Sequence, residues 1–495
     1  MAIYSVITGT GRYIPTISIK NEDFLKSEFY DSYDKLTGKQ NQEIINKFLE
    51  ITTIAERRYA PDTLLTSDIA FFAAQKAIKK SGIDKESLDY VIVAHNFGDV
   101  KSGNNRTDNV PSLAARVKSK LGIENPFAVA YDILFGCPGW LQAFIQADYY
   151  IRSGDAKRVL VIGADILSRI SDPHDRDSML YADGAGAVIL EARESDVPIG
   201  ILGRVTRSDT KAYLNMLNMG KSFRTAGATS HTPAGTKIDT SAATSTASKI
   251  DTSTATASKI NTSAATSTAS KIDTSTATKI DTSTGNDSLK ATNAVDPNNL
   301  YLKMNGRRLY QYALETVPLA IKAALDKCGI DISEISKVLI HQANGKMDEA
   351  ILKRLYALYN IAQIPANVMP MSISYLGNSS VATLPTLLDL IMRNNLSHDG
   401  ETYDDNEPND NAVINDNAAI SDNAAISDNA AINDNAAISD NAAINDNAAT
   451  DRATTNESGK AHGTSNNHSI KKGDKIVFAS VGAGMNINAL VYVAN

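Results

Sequence analysis

Few residues in this chain are equipped for covalent chemistry, and Cys137 comes first among them. It stands in the stretch 128–151, AVAYDILFGCPGWLQAFIQADYYI, where a short apolar run leads into a Gly/Pro turn. Leu141, Phe144, Ile145 and Tyr149 then recur near helical spacing. Pro138 suits the first helical position, where its missing N–H is no loss. Cys137 is thereby expected at a helix start, whose unpaired amides and positive dipole end favour a thiolate. Without a base or an electrostatic partner, the same cysteine reads equally as a small buried hydrophobe. Three further groups could supply such partners. His341 ends the apolar run KVLI, Asn378 lies in the Gly-Asn turn of YLGNSSVATLP, and Gly482, Ala483 and Gly484 form a flexible turn in SVGAGMN whose backbone amides can approach a ligand closely.

The elements that must position these groups are visible as a duplication. Ala77 to Asn96, AIKKSGIDKESLDYVIVAHN, matches Ala324 to Asn344, ALDKCGIDISEISKVLIHQAN, with Gly82-Ile83-Asp84 falling on Gly329-Ile330-Asp331. Each copy reads as an amphipathic helix, a Gly-Ile-Asp stop, a short helical turn and a buried strand. Position 94 is alanine where position 341 is histidine, so one strand end has gained an imidazole. His95, His174 and His398 show nothing comparable around them. Further apolar runs begin at Arg158, Gly184 and Lys475. Strands alternating with helices imply an α/β fold with mostly parallel central sheets, built as two related halves. We place the halves at 1–195 and 196–495.

Two segments stand apart from this core. About 225–297 repeats variants of SKIDTSTATA, and about 399–468 repeats DNAAIS and DNAAIN at a period of six. Their Ser, Thr, Ala, Asn and Asp carry too little apolar surface to offset the entropy of ordering, so both read as disordered surface insertions. The period that sets Ile at 414, 420, 426 and 432 also fits a rung of a parallel β-helix. A net charge of −7, from 49 basic and 56 acidic residues, gives no reason to invoke nucleic acid or a membrane surface. Two cysteines in 495 residues suit a reducing compartment. With no signal-like N-terminus and no apolar run of about 20 residues, a soluble cytoplasmic protein is expected. The glycines of GTGRY and DGAG lack the strand, spacing and acidic partner of a nicotinamide site, and no metal cluster is expected.

The combination of Cys137, SDPHDRDSMLYADGAGAVIL from Ser171, MNGRRLYQYA from Met304, HQAN from His341, LGNSSVATLP and VGAGMN resembles the thiolase-fold condensing enzymes, and most of all 3-oxoacyl-[acyl-carrier-protein] synthase III. The resemblance covers the core and skips only the repeats. It implies a thiolase-like fold with layered helices and mixed sheets, and an acyltransferase that starts fatty-acid synthesis. Cys137 would take an acyl group from acyl-coenzyme A. His341 and Asn378 would bind the malonyl thioester and promote its decarboxylation, and the backbone N–H groups of Cys137 and of Gly482, Ala483 and Gly484 would hold the second oxyanion.

By the same resemblance, Arg176 and Asn344 would bind coenzyme A, Val110 would close a primer pocket across a homodimer, and Lys346 and Arg307 would meet an acyl-carrier protein. No cofactor beyond these substrates is implied. The usual tryptophan partner of Arg176 is absent from INKFLEIT, and proline after the cysteine is a local departure. Asn378 separates the chain from elongating synthases, which carry a second histidine there. Cys328, at a helix end, does not match the second cysteine of thiolases, and the loop before Cys137 lacks the glutamate of hydroxymethylglutaryl-coenzyme A synthases. Two other readings stand: the same Cys-His-Asn set making a specialised polyketide or quinolone-type starter, and a non-catalytic acyl-binding protein.

Overall fold

The computed structural model describes residues 1–224, 298–394, 396 and 468–495. The repeat segments, and His398 with them, lie outside the described residues, except that His468, at the end of the second, is buried against the core rather than part of a surface insertion.

Two sheets organise the chain. In the first, the strand order is Ala2–Tyr13, Asp183–Ser195, Arg158–Ile166, Tyr90–Ala94, Val129–Ile133. The second runs Gly200–Ser208, Asn486–Val493, Lys475–Gly482, Ile335–Ile340. Alternation along the strands gives each sheet two buried faces. Ile92 and Ala94 enter one core while Val91 and Val93 enter another, and Ile476 and Phe478 oppose Val477 and Ala479 in the same way. Fully burying each such Val, Ile or Leu contributes ~1.5–3 kcal/mol.

The core shared by both sheets holds the helices Gly139–Ser153 and Thr383–Met392. Their apolar residues run nearly all round, and a helix of that kind is stable only when enclosed. The outer faces carry Thr66–Ser81 and Leu113–Lys120 on the first sheet, and Gly306–Cys328 and Gly345–Ala357 on the second. The result is five alternating layers of helix and sheet.

The duplicated Gly-Ile-Asp does the same work twice. Gly82 and Gly329 adopt left-handed conformations (φ 70° and 63°) that end their helices. Asp84 and Asp331 then cap the short turns through Glu86 N–H and Ser333 N–H. One expectation is corrected: the sheets are mixed, but three central ladders are parallel and four antiparallel among the described residues. Asp183–Ser195 and Asn486–Val493 each pair antiparallel on both sides, because each returns directly beside the strand before it.

The first repeat segment leaves and rejoins the fold at a small antiparallel ladder. Leu217–Gly220 pairs with Tyr301–Met304, so Gly220 and Tyr301 are neighbours although the chain between them contains the whole of 225–297. Lys303 in that ladder reaches Asp172 and, at 3.1 Å, Asp175, which ties the hairpin to the SDPHDR loop.

Candidate active site

Cys137 sits where two backbones touch. Gly136 has φ 67°, and Gly139 N–H donates to Gly136 C=O at 2.9 Å, so Gly-Cys-Pro-Gly is a closed turn. The helix begins at Gly139, one position later than the sequence suggests, with Pro138 as its N-cap. A side-chain carbon on Gly482 would lie 2.5 Å from Cys137 N, and one on Gly136 2.6 Å from Ala483 N. Small residues are therefore required at the junction by proximity, and the Gly482–Gly484 turn lies against the nucleophile as expected.

His341 follows the Ile335–Ile340 strand, and its N–H donates to Ala479 C=O at 2.8 Å. The side chain is buried, and Nδ1 has no hydrogen-bond partner among the described residues. Burial lowers its pKa to about 4, so the ring is neutral near pH 7. A bare acceptor nitrogen is better tolerated without a partner than a donor, which favours the proton on Nε2.

Asn378 is fixed by backbone on both sides: its N–H donates to Leu180 C=O and its C=O accepts from Ala182 N–H. Its Oδ1 accepts from Ser380 N–H at 2.9 Å, which leaves Nδ2 as the donating end. Cys137, His341 and Asn378, from three distant parts of the chain, line one cavity of about 550 Å³ together with Gly482 and Ala483.

The thiol differs from the sequence expectation. Burial pushes Cys137 up to about 11, the negative charge of Asp165 adds to the rise, and a hydrogen bond with Ser380 and the Cys137 N–H act the other way. Desolvation outweighs the helix start, because taking a thiolate out of water costs more than one helix end returns. The resting group is a thiol.

The remaining candidates divide. Arg176 and Asn344 line the cavity, and Arg307, exposed, stands at its wall. Arg176 lies 3.6 Å from Asp31, and the Asn344 side chain caps the Gly345–Ala357 helix by accepting from Met347 N–H at 3.1 Å. Lys346 is exposed beside Glu349 and outside the cavity wall, and Val110 is 86% exposed, also outside it. INKFLEIT forms part of the Asn41–Thr52 helix and gives the cavity Phe48, whose ring lies 5.7 Å from the Arg57 guanidinium. Cys328 packs against Gly203 and reads as structural.

Sequence reasoning missed four groups. His95 is not isolated: its Nδ1 accepts from Gly98 N–H and its Nε2–H donates to Asp132, both at 2.9 Å. Asn96 and Ser380 line the cavity and touch each other, and Asp177 lines it too, its pKa raised by burial and by Asp175. The position of Ser380, two residues after Asn378, was the available signal for one of them. Among the described residues no cluster of metal-ligating side chains occurs, and no helix is long and apolar enough to cross a membrane.

Comparison with known proteins agrees with this geometry. The family described as 3-oxoacyl-[acyl-carrier-protein (ACP)] synthase III matches residues 131–210, and its C-terminal counterpart matches 325–403. The chain is 27% identical over 401 residues to beta-ketoacyl-[acyl-carrier-protein] synthase III 1 of Vibrio vulnificus (strain YJ016), covering 81% of this chain and 94% of that one. The crystal structure of 3-oxoacyl-[acyl-carrier-protein] synthase III from Aquifex aeolicus VF5 is similar at a TM-score of 0.57 and 21% identity, over 99% of both chains. The priming beta-ketosynthase of the R1128 polyketide pathway is similar at 0.59 and 18% identity, over 99% of this chain and 96% of that one. At such identities the two structures speak for the fold. The family matches take in Cys137 on one side and both His341 and Asn378 on the other, and over this core the chain is similar to 3-oxoacyl-[acyl-carrier-protein] synthase III, a thiolase-like condensing acyltransferase.

Proposed function

We propose that the protein is an initiating condensing enzyme of fatty-acid synthesis, which loads an acyl primer on Cys137 and condenses it with malonyl-acyl-carrier protein. The observation that carries this reading is the convergence of Cys137, His341 and Asn378 on one cavity. In the first step the Cys137 sulfur attacks the primer thioester, and the thiol proton leaves with the departing coenzyme A or carrier thiol. In the second, the malonyl carboxylate leaves as CO2 and its bonding electrons pass to the thioester enolate. The neutral His341 Nε2–H and the Asn378 Nδ2–H are suited to donate to that oxygen, where the charge develops. The enolate carbon attacks the acyl-Cys137 carbonyl, whose oxyanion is held by the backbone N–H of Cys137 and of the 482–484 turn. Collapse expels the Cys137 thiolate and gives 3-oxoacyl-acyl-carrier protein.

Further parts of this reading are the division at 195/196, coenzyme A contact by Arg176 and Asn344, carrier contact by Arg307 and Lys346, a cytoplasmic location and a homodimer. Val129–Ile133 is an edge strand with Val129 and Leu134 exposed beside it, a surface suited to pairing with a second copy, and Val110 is free to reach a partner. One observation favours the specialised-starter reading. The aromatic residue of the Asn41–Thr52 helix at the cavity is Phe48, already engaged by Arg57, where the resemblance expects a tryptophan for adenine, and this favours a carrier-bound donor as primer.

Intact-mass measurement after incubation with a panel of acyl-coenzyme A and acyl-carrier thioesters, with Cys137→Ala alongside, tests the proposal. An adduct on the native protein alone, discharged by malonyl-acyl-carrier protein into a 3-oxoacyl product, is expected. An adduct from carrier thioesters only selects the second reading, and no adduct from either donor class refutes both.

A further inference from the structure

Behind the nucleophile lies a chain of buried polar groups that the mechanism above does not use. Asp165 ends the Arg158–Ile166 strand and is 1% exposed. Its two oxygens accept from Asn96, Oδ1 from the backbone N–H at 2.9 Å and Oδ2 from Nδ2 at 2.7 Å. The double contact fixes the Asn96 amide, since a flipped side chain would set its oxygen against the carboxylate. The same Nδ2 donates to Ser380 Oγ at 2.9 Å. That oxygen lies 3.4 Å from Cys137 Sγ. Ser380 itself holds φ 54°, an uncommon conformation for a residue other than glycine.

Because Asn96 occupies a lone pair of Ser380 Oγ, the hydroxyl proton must turn elsewhere, and the acceptor it meets is the sulfur. Asp165 accepts twice from Asn96, and burial nevertheless raises its pKa to about 6. A neutral thiol is a weak acceptor, so at rest this contact contributes little. A thiolate is a strong acceptor, and charge-assisted hydrogen bonds are roughly twice as strong as neutral ones.

We propose that Ser380, held by Asn96 and Asp165, is the residue that stabilises charge on the Cys137 sulfur, donating its hydroxyl proton whenever that sulfur becomes anionic. The sulfur carries charge twice in the proposed cycle, as attacking group and as leaving group, so a donor whose bond strengthens then lowers both barriers. Ser380 touches the reacting atom; Asn96 and Asp165 act through it and are positioning residues. This rests on Cys137 as the nucleophile and adds a device that sets its ionisation.

The backbone makes the test clean. Ser380 serves Asn378 through its N–H, which survives substitution, and its φ suits glycine. Ser380→Gly therefore removes the CH2OH side chain while leaving the backbone conformation and the Asn378 contact in place. The measurement is the rate of Cys137 alkylation by iodoacetamide from about pH 7 to about pH 10, where log rate follows the thiolate fraction. Ser380→Gly is expected to displace the line by about one pH unit, roughly tenfold slower at fixed pH. Asn96→Ala should move it less in the same direction, and the double variant should match Ser380→Gly.

With the acyl donor identified, kcat should fall in Ser380→Gly while KM stays within about twofold. An unshifted line in a Ser380→Gly protein that melts as a folded one, or additive effects in the double variant, would overturn the proposal. Alkylation needs no acyl donor. A shifted line in a protein that forms no adduct would therefore sink the condensing reading alone, and an unshifted line with normal acylation would sink this one alone.

Discussion

At the scale of single residues, the cysteine and the histidine at this site are both made less ionisable by burial. Cys137 is pushed up to about 11 and His341 down to about 4, so each is neutral at rest. For His341 the consequence for stability has a definite sign. An unfolded histidine takes up a proton below about 6.5, whereas the folded one resists until about pH 4. Its contribution is fully present above 6.5 and is lost as pH falls through that window, by about 3 kcal/mol. Thermal melts of native protein and His341→Ala across the window should show the variant gaining relative to native as the pH falls; parallel curves would contradict the depressed pKa.

The identities of Cys137, His341 and Asn378 were legible because each breaks or ends a regular pattern. Histidine replaces the alanine of the first copy, and the cysteine and the asparagine each interrupt a run bounded by glycine. The protonation of the thiol was not legible, since it depends on Asp165, Ser380 and burial, groups brought together from positions 137, 165 and 380 only by the fold.

At the scale of elements, the sheet and helix runs were readable from apolar spacing, and the Gly-Ile-Asp stops marked where helices end. Strand direction was not. Periodicity of two looks the same in a parallel and an antiparallel ladder, and only the returns at Asp183–Ser195 and Asn486–Val493 decide it. The meeting of the Lys475–Gly482 strand with the Gly136–Gly139 turn carries a prediction of its own. Gly482 has φ −168°, which any residue adopts, so Gly482→Ala is opposed by contact with Cys137 and not by backbone preference. Overpacking of this kind costs about 1–3 kcal/mol. The variant should remain folded with a lowered melting temperature, and its Cys137 acylation rate should fall well beyond what that loss of stability explains. Unchanged acylation would separate the turn from the nucleophile.

At the scale of the whole molecule, five layers bury two sheets on both faces, and the long first repeat segment joins the core where a hairpin loop would stand. For a chain of that composition, closing a loop costs only about 0.6 kcal/mol more per doubling of length. Replacing 225–297 by a short linker should preserve Cys137 acylation and raise stability by about 2 kcal/mol; loss of acylation in a folded protein would give the repeats a part in the chemistry. Gly220 and Tyr301 pair as neighbours although the whole segment lies between them. Copy number of the SKIDTSTATA unit is then nearly invisible to selection acting on the fold. Slippage during replication can lengthen or shorten the segment while leaving the ladder untouched, so closely related strains should differ there in length before they differ in Leu217–Gly220 or Tyr301–Met304.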